Sequence, residues 1–448
     1  MQRAGATQDG TIGGAAVVML AALLLYARGS AALDTAPQTS APAPTSAPAP
    51  TSAGSATSTQ SFEFGDFGSV SIYRGDPAPR DVVLFLSGEG GWDPGVISMA
   101  KKLTGRGAVV AGIDIRHYLE QLEKSPEKCA SPATDLENLS RYLQEKLAFT
   151  QYIEPTLVGY SSGATLVYAA LAEAPDGSFK GALSIGMRRD LGLKKPLCKG
   201  LGTKLAGRWI AVERNWLPRY EAAYEQITAA RARASVPALP ASVADLPLTV
   251  VPAQPGSPSP WFGIFLSGDG GWVGLDRGVS RELAKHHIPI VGWDSLKYFW
   301  SPRTPQGTAQ DLDRVVRHYA QEWGRSHVLL IGFSQGADTM PFMVNRLPAQ
   351  THDMVGLTAL LGISDNALFE FHLQNWLGTP SRGIPTAPEL QHWSGAPYLC
   401  LYGEADGDAA CAQITGKEGV AVKMSGGHHF GGGYADIAAQ ILSRLPKF

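Results

Sequence analysis

The chain is poor in charge and cysteine, and it has no apolar run long enough for an ordinary membrane span. Only 17% of its 448 residues are Asp, Glu, Lys or Arg, the formal net charge is -2, and no run of like charge occurs. A nucleic-acid partner usually leaves a basic patch or stripe, so none is expected. Four cysteines, Cys129, Cys198, Cys400 and Cys411, show neither CxxC spacing nor a Cys/His cluster, which removes the usual zinc signatures. No cofactor is called for. The apolar run Ala15–Tyr26 falls short of the ~20 residues of a spanning helix. Its terminal position and the small residues Gly29–Ala32 after Arg28 read as a secretory signal peptide, with an uncleaved anchor as the alternative, over residues 1–32.

Residues 33–60 are Ala/Pro/Ser/Thr low complexity with too few apolar side chains to offset chain entropy, so a disordered tether is expected there. Export to an oxidising compartment would favour disulfides. Of the three pairings possible, Cys129–Cys198 with Cys400–Cys411 keeps each bond inside one half.

Another absence divides the chain. Phe85–Trp92 (FLSGEGGW) and Phe265–Trp272 (FLSGDGGW) lie 180 residues apart, and each precedes a G-x-S-x-G pattern, at Gly159–Gly163 and Gly332–Gly336. The first serine, Ser161, has no histidine between itself and the second copy. Short apolar runs alternate with helical periodicity in both copies, which predicts an α/β fold: two tandem α/β-hydrolase-like domains with mostly parallel sheets, the first truncated before its last strands. The boundaries expected are 61–200 for a degenerate domain, 201–245 for a helical linker region, and 246–448 for a catalytic domain.

G-x-S-x-G turns a strand sharply into a helix with its serine exposed at the apex. After Ser334 come a carboxylate-rich loop holding Asp406 and Asp408, then Gly426-Gly427-His428-His429. That is the chain order serine, acid, histidine. Ser334 is read as nucleophile, His428 as the base, and Asp406 or Asp408 as the acid that orients it. His429 is read as a packing neighbour. Gln335 and either Asp269 or Gly270 are expected to supply the oxyanion hole through backbone N–H groups. The glycine-rich loop at Gly268–Gly271 is neither G-x-G-x-x-G nor a P-loop, so it is not expected to hold a nucleotide.

The paired FLSG(E/D)GGW elements, GFSQGAD at Gly332–Asp338, LKYFWSPRTP at Leu296–Pro305, the Tyr402–Glu404 loop ending in Cys411 and Gly426–Phe430 together resemble the AcvB/VirJ virulence-protein family. The two-repeat layout looks like its AcvB-type members. That resemblance implies a periplasmic serine hydrolase acting on aminoacyl-phosphatidylglycerol, lysyl or alanyl, at the membrane surface. It also implies a link to secretion-system proteins, and hence one alternative, a non-catalytic secretion factor; a general esterase or thioesterase is a third reading. Lys297 and Arg303, flanking Tyr298-Phe299-Trp300, are candidates to meet a lipid phosphate while the rings meet the bilayer. Asp269 is a candidate partner for the ammonium of the aminoacyl group.

Overall fold

Two sheets of seven strands, one per repeat, carry the chain. The computed structural model describes residues 58–75, 78–198, 208–213, 217–233, 242–256, 259–371, 383–407, 410–413 and 419–446. The signal or anchor at 1–32 and all but the last three residues of the tether lie outside them. Those three, Ser58–Gln60, already belong to a strand, so the tether ends earlier than its composition suggests.

In the first half the strands are β1 (Ser58–Phe64), β2 (Gly68–Arg74), β3 (Asp81–Leu86), β4 (Ala108–Ile113), β5 (Thr156–Tyr160), β6 (Gly181–Ile185) and β7 (Trp209–Val212). They lie in the order β1-β2-β4-β3-β5-β6-β7. From β4 to β7 every pairing is parallel, while β1 and β2 add an antiparallel edge. The second half holds β8 (Leu248–Val251), β9 (Trp261–Leu266), β10 (Ile290–Trp293), β11 (His327–Phe333), β12 (Val355–Leu361), a short hairpin of β13 (Asn366–Ala367) and β14 (Ile384–Pro385), then β15 (Tyr398–Gly403) and β16 (Gly419–Met424). Its sheet runs β16-β15-β12-β11-β9-β10-β8, parallel except where β8 meets β10.

All six residues of β3 and of β9 are buried, because helices cover both faces of each sheet. The repeated GGW explains itself here. Trp92 lies on Gly112 of β4 and Trp272 on Gly292 of β10, so closely that a Cβ would fall 1.9 Å and 2.2 Å from the rings. Each tryptophan also meets Phe85 or Phe265 edge-on at 5.7 Å between centroids. Cys129–Cys198 and Cys400–Cys411 form disulfides, each within its own half.

Two expectations need correction. The first domain does not end at 200: β7 pairs with β6, and the helix Leu217–Arg233 packs Tyr220, Tyr224 and Ile227 into the core of the first sheet. The strand is only four residues long, Trp209–Val212, too short to stand out from an Ala/Arg/Pro-rich stretch. Nor is the first half short of both final strands. Matched through the two elbows, β7 takes the place of β15, and among the described residues the main sheet has no counterpart of β16, the strand before His428.

The halves belong to the same unit, Ser55–Phe448, and touch through polar and aromatic contacts. Lys297 pairs with Glu154 at 2.9 Å, and Trp300 Nε1 donates to the Phe149 carbonyl at 2.7 Å. Tyr152, Leu296 and Phe371 are buried together beside them.

Candidate active site

Ser334 follows β11 and precedes the helix Gln335–Val344, with φ 50° and ψ -120°. A non-glycine residue held there costs on the order of 1–3 kcal/mol, so the surrounding structure must over-determine it. Ser334 N–H donates to Leu361 O of β12 at 2.9 Å, and Asp338 N–H donates to Ser334 O at 2.9 Å. Gly336 lies so close to β9 that a Cβ would sit 2.2 Å from Leu266 O. The elbow is thus wedged against the strands on both sides.

The acid and the histidine arrive on one stitched pair of loops. Glu404 N–H donates to Met424 O at 2.8 Å and Ala405 N–H to Gly426 O at 3.0 Å, so the end of β15 is tied to the loop after β16. Asp406 Oδ2 lies 2.9 Å from His428 Nδ1. An Nδ1–H donating to that carboxylate leaves Nε2 as the acceptor, the tautomer a general base needs. The His428 ring lies 5.3 Å from the ring of Phe333, the residue before the serine. Gly362, at φ +63°, backs the other side: a Cβ there would meet His428 Cε1 at 2.9 Å. Among the described residues no hydrogen bond joins Ser334 Oγ to the imidazole, and such contacts often close only around substrate. Asp408 lies outside the described residues.

His429 meets Phe333 at 5.5 Å and His428 edge-on at 5.8 Å. Burial, and then the adjacent His428, lower its pKa below the usual imidazole range against the opposing pull of Asp269 and Asp406. Its ring packs beside Phe333 and His428, where burial favours the neutral form.

Gln335 is the first residue of its helix, and its side chain turns away to donate to Leu368 O at 3.1 Å. The facing loop places Gly268 so that a Cβ would lie 3.3 Å from Ser334 Cβ. Within that loop Gly271 N–H donates to Gly268 O at 3.0 Å and Val273 N–H to Gly271 O at 2.9 Å. Neither bond uses the N–H of Gly270. The sequence reading missed Asp338, one turn into the helix, whose Oδ1 accepts from Ser364 N–H at 2.6 Å. Burial pushes its carboxyl well above the usual range, and the charges of Asp269 and Asp365 push it further. Its place in GFSQGAD was the available signal.

Lys297 and Arg303, the candidates to meet a lipid phosphate, both have partners within the chain, and Arg303 remains exposed. Lys297 is engaged by Glu154 and by Asp294 at 3.1 Å. The Arg303 guanidinium covers the Tyr298 ring at 4.5 Å, and its Nε donates to Tyr298 O at 3.1 Å. Tyr298 and Phe299 are fully buried, so they cannot offer their rings to a bilayer. Residues 295–298 form a helical turn, and its tight chain path sends the aromatic side chains into the core.

The first elbow repeats the geometry with a different partner for its serine. Ser161 has φ 55° and ψ -114°, but its Oγ donates to Glu89 Oε2 at 2.8 Å. Glu89 also pairs with Arg188. Hydrogen bonds from its own backbone and from Ser161, with Arg188 beside it, lower its pKa to about 2. The residue after β7 is Glu213, and His117 packs against Gly68. Among the described residues no group of three His, Cys, Asp or Glu is placed to hold a metal ion.

A mostly parallel sheet whose fourth strand in the order, β11, ends in a strained serine turn, with acid and histidine on the loops after β15 and β16, defines an α/β-hydrolase fold in the second half and a reduced copy of it in the first. The model for the family "Bacterial virulence protein (VirJ)" matches residues 80–188 and 261–447, more than half of the chain. The chain belongs to the VirJ family. No curated protein matches it in sequence. Similar solved structures include Est1E from Butyrivibrio proteoclasticus, at 13% identity and TM-score 0.34, covering 44% of this chain and 93% of that one. XC6422 from Xanthomonas campestris, titled an α/β serine hydrolase without lid, is 16% identical at TM-score 0.31, covering 45% and 90%. Naproxen esterase from Bacillus subtilis is 15% identical at TM-score 0.31, covering 44% and 86%.

Proposed function

We propose that this chain is an exported serine hydrolase that cleaves the aminoacyl ester of aminoacyl-phosphatidylglycerol on the periplasmic side of a membrane, delivered there by its N-terminal segment. The observation that carries the reading is the Asp406–His428 pair at 2.9 Å beside the strained Ser334. Ser334 Oγ attacks the ester carbonyl while His428 Nε2 takes its proton, and Asp406 stabilises the resulting imidazolium. The oxyanion is held by the N–H of Gln335 and an N–H of Asp269 or Gly270. Collapse expels the glycerol oxygen, which takes the proton from His428 and leaves as phosphatidylglycerol. Water, activated by the same histidine, then releases the amino acid from Ser334.

The electrostatics of the site support an acyl group bearing an ammonium. Asp269 acts on both His429 and Asp338, and Asp365 also acts on Asp338, so carboxylates cluster around the elbow. A positively charged aminoacyl group is favoured there over a neutral fatty acyl chain.

Thin-layer separation of lipid extracts tests this directly. Wild type and Ser161→Ala should remove lysyl- or alanyl-phosphatidylglycerol at similar rates, and Ser334→Ala should remove neither. Equal turnover by wild type and Ser334→Ala refutes the proposal. A Ser334→Ala protein that still complements a deletion strain points instead to a binding role in secretion. Short soluble esters turned over as fast as the lipid point to a general esterase.

A further inference from the structure

We propose that Arg141, a residue of the first half, is a positioning residue for the second half's oxyanion loop; the inference rests on the hydrolase reading above. Arg141 sits mid-way along the helix Pro132–Lys146 and is only 3% exposed. Its Nη2 donates to Glu137 Oε2 at 3.1 Å and, across the boundary between halves, to Gly270 O at 3.4 Å. It borders a polar cavity of about 70 Å³ shared with Glu154, Ser178, Gly271, Asp294 and Lys297.

Gly270 and Gly271 are adjacent, so nothing in their own side chains stops the intervening peptide plane from turning over. Two bonds oppose that motion: Gly271 N–H to Gly268 O at 3.0 Å, and Arg141 to Gly270 O. With the Gly270 carbonyl drawn toward the first half, the peptide before it keeps its N–H free to face the elbow. The first half also backs the next residues, since a Cβ on Gly177 would lie 3.2 Å from Trp272 O.

The repeat supplies its own comparison. In the first half the equivalent turn is covered by its own Arg116, whose Nη2 would lie 2.0 Å from a Cβ on Gly91. Counting from the paired aspartates Asp114 and Asp294, the second half has Leu296 at that position. In the first copy the cation over this turn comes from its own half; in the second, the one that meets the Gly270 carbonyl comes from the other half.

Arg141→Met and Arg141→Lys test this in the full chain, with kcat, KM and melting temperature measured on the ester that wild type hydrolyses, and the rate of fluorophosphonate labelling of Ser334 alongside. Removing an oxyanion donor outright costs about 10²–10³ in kcat. A donor left in place but unfixed should cost less, about ten- to a hundredfold in Arg141→Met, with KM within about twofold of wild type. Arg141→Lys keeps the charge without the fork, so it should recover part of the loss. Should Arg141→Met not fold, Arg141→Lys decides on the same measurements: lower kcat and slower labelling at unchanged KM support the inference. Wild-type kcat in either folded variant overturns it, as does a loss that tracks melting temperature with no recovery by lysine. A wild type that neither labels nor hydrolyses any ester overturns the hydrolase reading together with this one; an active wild type matched by Arg141→Met overturns this one alone.

Discussion

Asp406→Asn is the sharpest single perturbation of the site. The replacement is nearly isosteric, so the stitched loops of Glu404 and Ala405 should hold their course. What changes is the 2.9 Å contact to His428 Nδ1. In the attack step the imidazole becomes positive opposite a carboxylate only 10% exposed. For charge centres about 4 Å apart at an effective dielectric of about 20, the lost attraction is about 4 kcal/mol. That is roughly three powers of ten in kcat. An asparagine can also turn its NH₂ to Nδ1 and fix the wrong tautomer, which brings the expected loss to about 10⁴. The assay is initial-rate hydrolysis of lysyl- and alanyl-phosphatidylglycerol, with thermal melting to verify the fold. Asp408→Asn is the comparator and should stay close to wild type. A folded Asp406→Asn enzyme keeping more than a tenth of wild-type kcat refutes the assignment of Asp406.

Gly362→Ala should lower kcat more than a hundredfold, because its Cβ would reach His428 Cε1 at 2.9 Å from a backbone at φ +63°; kinetics and a melting curve on the same sample separate this from unfolding. Asp338→Asn should change the pH dependence of stability. The raised pKa of Asp338 means the folded chain holds this proton more tightly than the unfolded one. Its stabilising effect is complete below the ordinary carboxyl range and is lost as pH rises toward the raised value. Melting temperatures across pH 5 to 9 (about; chosen to lie above the ordinary carboxyl pKa) should therefore fall for wild type relative to Asp338→Asn, and parallel curves would contradict this. Breaking Cys400–Cys411, which closes a separation of 11 residues around the Asp406 loop, should cost about 3 kcal/mol. Cys400→Ser/Cys411→Ser should accordingly melt lower and lose activity, both read against wild type under oxidising conditions.

The parts legible in the sequence were those fixed by local pattern. β3 and β9 read as continuous apolar runs because both faces of a parallel strand are covered, and the elbows read as elbows because a strand and a helix must flank them. His428 and the loop holding Asp406 and Asp408 followed from chain order, which left the acid open between those two; the 2.9 Å contact to His428 belongs to Asp406. What stayed hidden depends on contacts far apart in sequence. β7 is four residues that become a strand only by lying beside β6. Residues 298–300 show aromatic character with bases on either side, but not the direction in which the chain path turns them. Arg141 meets Gly270 across 129 positions, and nothing in either local stretch marks the encounter.

The clamp on Ser161 has a practical corollary. Glu89, its pKa lowered to about 2, accepts the Ser161 hydroxyl hydrogen bond but is a poor base for removing that proton. A covalent titrant such as a fluorophosphonate should therefore bind one equivalent per polypeptide, although the fold displays two serines at the same sharp bend. The quiescent copy keeps the stoichiometry simple: the burst amplitude counts competent molecules directly.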